Sequence, residues 1–367
     1  MTAVWVILWL VFAGVVLAIY AAVAGRLLTV RRLADAVHFA RTSDGWRLAL
    51  HRYRPQEQRY AEPILLCHGL GANRCNFDLL DDRSLARSLA ELGFDVWSLE
   101  LRGHGLSDSP RPFGRFDFDD HLDRDVPAAL AAIRRLTGQP RVFWVGHSLG
   151  GMLGYALAGE AGDDALAGLI AVGAPVWLDR SPAVRRLCLT ARRLGPGRTV
   201  RLRLVSRLLA PLAGRVPAFM AQPFMLPGAI EPRVVRRSLV NLVENASQAV
   251  VGQMLGWMRQ RTFTSRDGTR DYLERLAQVR IPVLLLAAER DQLAAPESVT
   301  PAYERLRSRD KQLRVFGTDA GDDFDFGHGD LLLGQLAPKV VYVEIMDWLE
   351  QRAQPLQRTE PRIEERA

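Results

Sequence analysis

Short, nearly unbroken apolar runs alternate along this chain with longer amphipathic stretches, and that alternation predicts strands and helices layered in an α/β sheet. Ile64 to Cys67, Val96 to Leu99, Val142 to Val145, Leu169 to Val172 and Val283 to Leu286 have the composition of parallel strands buried on both faces. Val315 with Phe316 marks one more. Val37 to Ala40 and Trp46 to Tyr53 flank the turn Ser43-Asp44-Gly45 and read as an antiparallel hairpin. Helical periodicity falls between the strands, at Arg83 to Leu92, Leu122 to Leu136, Leu149 to Gly159 and Pro338 to Glu350. The predicted order is β-β-β-α-β-α-β-α-β, an interruption, then β-α-β-α.

The interruption covers 176–279 and lacks the alternation. Its stretch Val216 to Ile230 is apolar but broken by Pro217, Pro223 and Pro227. A connection this long inside a compact domain is a functional insertion, read here as a mainly helical cap over the carboxyl ends of the strands. The expected organisation is a membrane anchor at 1–30, a first core segment at 36–175, the cap at 176–279, a second core segment at 280–352 and a disordered tail at 353–367.

The anchor is the least ambiguous hydropathic feature. From Thr2 to Gly25 no ionisable side chain interrupts a run of Val, Leu, Ile, Ala and Trp. As a helix rising about 1.5 Å per residue it covers a hydrocarbon core of about 30 Å. Trp5, Trp9 and Tyr20 suit interfacial depths. Ala22-Val23-Ala24 resembles a signal-peptide cleavage site, but no basic residue precedes the run and the run is too long for a signal. Arg26, Arg31 and Arg32 follow it, so the positive-inside rule makes this a single-pass protein of the inner membrane with its body in the cytoplasm.

Composition changes this picture little. The hydrophobic share of 48% excludes general disorder, and the three cysteines, Cys67, Cys75 and Cys188, suggest neither a disulfide framework nor a zinc site. The net charge of +7 comes from ten arginines between Arg180 and Arg215 with no acidic residue among them. Without interleaved aromatics or a reading motif, such a strip favours an anionic surface such as lipid, or plain solubility, over recognition of nucleic-acid bases.

The candidate chemistry begins at Gly146-His147-Ser148-Leu149-Gly150-Gly151, placed between a strand and a helix. A strand that turns sharply into a helix strains its central residue and needs flanking glycines, and it exposes the serine. The Leu149 N–H then lies at a helix N-terminus, where it can hold an oxyanion. A serine hydroxyl needs a base, itself oriented by an acid. His328 is the only histidine downstream of Ser148, in Gly327-His328-Gly329-Asp330. Asp291 stands just after the strand Val283 to Leu286 and is the preferred acid, with Glu289, Asp319, Asp322, Asp323 and Asp325 as alternatives. Upstream, His68-Gly69-Leu70-Gly71 ends a strand, and the Leu70 N–H is the candidate second oxyanion donor. His68 reads as a brace for that loop. Arg102-Gly103-His104-Gly105 reads as a structural turn, since His104 has no second metal ligand at usable spacing.

With these motifs in place, residues 36–352 resemble the α/β-hydrolase superfamily: a mostly parallel sheet with helices on both faces and a cap. Gln253 to Trp257, Asp267-Gly268, Asp271-Tyr272 to Leu286, Phe326 to Gly334 and Ala337-Pro338 are similar to bacterial lipase/esterase-like hydrolases related to acid/gastric lipases and polyhydroxyalkanoate synthases. Those synthases carry cysteine where this chain has Ser148, so the resemblance implies hydrolysis of carboxylic esters, of acyl-chain or lipid type. The mechanism is metal-free and implies no cofactor. Two other readings stand beside this one: an acyltransferase passing the acyl group from the same acyl-enzyme to an alcohol or thiol, and a silent scaffold that binds lipid or a partner through the cap. A scaffold has no need of Ser148, Asp291 and His328 together.

Overall fold

The computed structural model describes residues 2–30, 34–109, 115–177, 202–213 and 224–356. Among the described residues ten strands form: β1 Ala36–Arg41, β2 Arg47–Tyr53, β3 Ile64–Cys67, β4 Asp78–Leu80, β5 Arg83–Ser84, β6 Val96–Glu100, β7 Val142–His147, β8 Leu166–Val172, β9 Val283–Ala288 and β10 Lys311–Phe316. Eight of them build one sheet in the order β1-β2-β6-β3-β7-β8-β9-β10, while β4 and β5 make a separate two-stranded ribbon. Pairing is antiparallel from β1 to β2 and from β2 to β6, and parallel from β6 through β10.

The apolar runs become strands because both faces of this sheet are covered, so alternate residues of one run enter different cores. Leu65, Trp97, Trp144, Leu169 and Leu285 point into one core. Ile64, Leu66, Val145, Ile170 and Leu286 point into the other. The helices Val126–Thr137 and Leu149–Ala165 lie against the first; Leu85–Leu92 and Val341–Glu350 lie against the second.

Most predicted elements recur with shifted ends. The helix expected from Arg83 starts at Leu85, where Ser84 caps it by accepting from the Arg87 N–H. The helix expected from Leu122 begins instead with a π turn, His121–Asp125, before the regular Val126–Thr137. Arg102-Gly103-His104-Gly105 is the expected turn. It wraps the buried Glu100 carboxylate so closely that a Cβ on Gly105 would lie 2.0 Å from it.

Within 176–279, the segment expected to form the cap, the described residues form the helices Leu202–Leu209, Pro232–Asn241, Gln248–Gln260 and Tyr272–Arg275, joined by turns and irregular chain. Most of the basic strip (Arg180 to Arg201, and Arg215), residues 216–223 of the apolar stretch, Cys188, and Arg31 and Arg32 lie outside the described residues. The predicted disordered tail needs correction at its start. Residues 353–356 pair with the segment before β3, through Ala61 N–H to Gln354 O at 2.9 Å and Leu356 N–H to Arg59 O at 2.8 Å. The rest of the tail, 357–367, is outside the described residues.

Thr2–Leu28 is one helix of 27 residues, with Val4–Leu28 long and apolar enough to cross a membrane and none of that span buried by the rest of the chain. Length and composition admit either an anchor or a signal sequence at this position.

Candidate active site

β7 lies near the middle of the sheet and delivers Ser148 at its carboxyl end. Ser148 has φ +53°, and among the described residues only Arg261 shares a positive φ without being glycine. A serine held there is strained by about 1 to 3 kcal/mol, a cost the fold carries for the sake of the turn. The turn is locked from both sides: Ser148 N–H donates to Val172 O at 2.9 Å, and Ser148 O accepts from Gly151 and Met152 N–H at 2.9 and 3.0 Å. A Cβ on Gly146 would lie 2.2 Å from Gly150 O, and one on Gly150 would lie 2.1 Å from Cys67 O. Only glycine lets the helix start this close to β3. Leu149 opens that helix, so its N–H is one of the terminal donors without an intrahelical partner.

His328 and Asp291 arrive from loops after β10 and β9, and the structure brings them together. His328 Nδ1 donates to Asp291 Oδ2 at 2.7 Å, with both side chains buried. Asp291 Oδ1 accepts from Leu293 and Ala294 N–H, each at 2.7 Å, so the carboxylate is fixed before it meets the imidazole. The pair sits beside the serine turn: the His147 and His328 rings have centroids 4.7 Å apart, and a Cβ on Gly173 would lie 3.3 Å from His328 Nδ1. The alternative acids do other work. Glu289 accepts from Asp319 N–H, Asp322 pairs with Arg314, and Asp325 pairs with Arg290 at 3.1 Å. Asp319 lies 3.8 Å from the Arg290 guanidinium.

The loop His68-Gly69-Leu70-Gly71 passes directly over the turn, since a Cβ on Gly69 would lie 3.2 Å from Ser148 Cβ. His68 is the brace expected of it: Nδ1 donates to Gly69 O at 2.9 Å and Nε2 accepts from Leu101 N–H at 3.2 Å. Burial holds it well below the usual histidine range, hence neutral. His104 donates to Arg102 O at 2.9 Å, and burial takes it down to about 4.

Sequence reasoning missed three residues around this centre. Asn76 Oδ1 accepts from Gly69 N–H at 3.1 Å and lies 3.0 Å from His147 Nδ1, tying the loop to the serine turn. Gly173 leaves the room that the His328–Asp291 pair occupies. Asp330, buried, accepts from Gly327 N–H at 2.7 Å and from Leu226 N–H at 3.0 Å, and so straps a cap segment to the loop that carries His328. Asn76 and Gly173 stand in no recognisable motif, and Asp330, though it closes Gly327-His328-Gly329-Asp330, carries no local sign of its bond to Leu226. An asparagine and an aspartate beside glycine-rich turns were the available signal.

Burial pushes the Asp330 carboxyl up to about 6; its two N–H partners oppose this, while the Asp291 carboxylate pushes the same way and His328 opposes it. An unfolded aspartate titrates near about 3.9, so between those values the folded chain binds more protons than the unfolded one. The contribution of Asp330 to stability therefore grows as pH falls from 8 to 5. Asp330→Asn lacks that proton uptake. Thermal melts at the two pH values should show the parent gaining roughly 1 kcal/mol on the variant at pH 5 relative to pH 8, and an unchanged difference would assign Asp330 an ordinary carboxyl.

Compared with known proteins, the chain matches the sequence profile described as α/β hydrolase fold over residues 62–326. A 131-residue stretch is 34% identical to the human lysosomal acid lipase/cholesteryl ester hydrolase, covering 32% of this chain and 33% of that protein. The match thus spans about a third of the length of such curated relatives. An esterase from Thermogutta terrifontis superposes with TM-score 0.58 at 21% identity, over 87% of this chain and 100% of that one. A soluble variant of the Saccharomyces cerevisiae monoglyceride lipase superposes with TM-score 0.61 at 16% identity, over 89% and 98%.

Proposed function

Because this chain belongs to the α/β hydrolase fold family, we propose that it is a membrane-anchored serine hydrolase that cleaves carboxylic esters carrying an acyl chain. Ser148 Oγ attacks the ester carbonyl as His328 takes its proton. Asp291, bound to His328 Nδ1, holds the ring so that Nε2 serves as the base and stabilises the imidazolium that forms. The N–H groups of Leu70 and Leu149 receive the developing oxyanion. His328 returns the proton to the leaving alcohol, and water, activated by the same imidazole, then releases the acid. The observation that carries this reading is the buried 2.7 Å Asp291–His328 pair beside a strained serine. A structural serine requires neither.

The substrate class rests on the surroundings. The human lysosomal acid lipase/cholesteryl ester hydrolase, 34% identical over 131 residues, is named for lipid esters, and the cap exposes Leu204, Val205, Leu212 and Phe224. Thr2–Leu28 anchors the chain in the inner membrane with its body in the cytoplasm, where the basic strip of the cap can rest on anionic lipid at about 1 kcal/mol per arginine. Protease added outside intact cells should leave the body whole; digestion beyond residue 33 would reverse this orientation.

A series of p-nitrophenyl esters from acetate to dodecanoate, assayed on the full chain, tests the substrate. Each methylene buried in an acyl groove is worth about 0.8 kcal/mol, roughly fourfold in kcat/KM. Activity should therefore climb steeply with chain length before levelling. A maximum at acetate would exclude the lipid ester, and excess acylated product with added alcohol would identify a transferase.

A further inference from the structure

The N-terminal helix does not end in a free linker. Its last carbonyl, Leu28 O, accepts from Asn241 Nδ2 at 3.0 Å, and the Val30 N–H just beyond donates to Asn241 Oδ1 at 2.9 Å. One side chain thus satisfies one of the carbonyls that a helix C-terminus leaves open and the N–H just beyond it. Asn241 is itself the last residue of the cap helix Pro232–Asn241. Its carbonyl accepts from Asn73 Nδ2 at 2.7 Å, and the same amide donates to Glu244 Oε1 at 3.0 Å.

Asn73 stands at the foot of the loop over Ser148. Its Oδ1 accepts from Cys75 N–H at 2.9 Å, capping the 3-10 turn Arg74–Asn76. Asn76, on that turn, holds Gly69 N–H at 3.1 Å. From the other side Glu244 N–H donates to Gly71 O at 2.7 Å. Gly69 and Gly71 have no side chains with which to pack, so the backbone on either side of Leu70 is held by these bonds, together with the His68 brace to Gly69 O. Asn73, Asn76 and Glu244 are all buried, and a buried polar group that loses its partner is left without water to replace it. Shifting one member therefore moves the next instead of leaving a broken contact.

We propose that Asn241 and Asn73 are positioning residues that transmit the seating of the N-terminal helix to the loop bearing the Leu70 N–H, so that acylation of Ser148 depends on that helix being docked. The inference rests on the proposed acyl chemistry and goes beyond it in assigning the membrane helix a part in the rate. An oxyanion donor acts only in the transition state and must be placed closely. Unseating the helix therefore lowers kcat and leaves KM nearly unchanged.

The test uses the full chain in detergent micelles with p-nitrophenyl butyrate. Asn241→Ala removes both bonds to the helix end. Asn73→Ser keeps a short oxygen able to cap the turn but cannot reach Asn241. Each is expected to lower kcat about tenfold, below the 10²- to 10³-fold typical of losing a donor outright, with KM within about twofold. The double variant should be no slower than the worse single one, because both cut the same chain of bonds. Amide exchange in the 67–77 segment should quicken in Asn241→Ala, a readout independent of turnover. Unchanged kcat in either variant, multiplicative losses in the double variant, or unchanged exchange would overturn the relay. Fluorophosphonate labelling separates the two levels: a parent that labels at Ser148 with relay variants that label as fast refutes the relay alone. A parent that does not label refutes the acyl chemistry beneath it.

Discussion

Ser148→Ala is expected to abolish ester turnover, lowering kcat by about 10⁴- to 10⁶-fold, since a nucleophile acting in concert with its base accounts for nearly the whole effect of the triad. The residual rate comes from the oxyanion donors and binding alone. The variant should fold, because the turn is held by the Ser148 backbone and by the glycines packed around it. Ser148→Gly sharpens the result. At φ +53° a side chain is strained, so glycine there should be equally inactive yet melt higher than the parent, by about 1 kcal/mol. Steady-state assays and thermal melts on the three proteins check both halves. A Ser148→Ala enzyme retaining more than about one per cent of kcat would place the nucleophile elsewhere.

The second large effect is expected at Asp291. In Asp291→Asn the Oδ1 position can still accept from Leu293 and Ala294 N–H, so the loop keeps its shape. What changes is the group facing His328 Nδ1 at 2.7 Å. An amide NH₂ there donates where a carboxylate accepted, which drives the imidazole proton to Nε2 and leaves no base toward the serine. The expected loss in kcat is about 10⁴-fold with substrate binding retained. Asp325→Asn and Glu289→Gln, whose carboxylates bind Arg290 and the Asp319 N–H instead, should keep kcat within a few-fold of the parent. Kinetics on the three variants decide the assignment; a collapse in one of the latter pair with a mild Asp291→Asn would move the acid.

The parts of this molecule legible in the sequence are those whose signal is local. Ile64 to Cys67 and Val142 to Val145 stand out because strands buried on two faces have no polar side to break the run. Ser148 stands out because the turn that strains it needs glycines at fixed spacing. Asp291 and His328 followed from chain order, since each lies in a loop leaving the carboxyl end of the sheet. The π turn His121–Asp125 left no trace, as one wide turn does not disturb helical periodicity enough to be read. The cap was legible only as an absence of alternation, because its helices take their register from tertiary packing. Least visible were the buried amides and acids. Asn73 and Asn241 are 168 residues apart along the chain, and nothing near either announces a partner. Asp330 sits in the quoted Gly327-His328-Gly329-Asp330, yet its bond to Leu226 depends on how the cap folds back.

The central claim concerns a covalent bond, and trapping it is the direct test. The full chain is mixed with excess p-nitrophenyl octanoate, quenched in acid within one turnover and digested for mass spectrometry. Approaching one octanoyl group per chain, located on Ser148 and absent from Ser148→Ala, is the predicted result. An acyl group on another residue, or continuing hydrolysis by a chain whose Ser148 never carries one even when release is slowed, would contradict it.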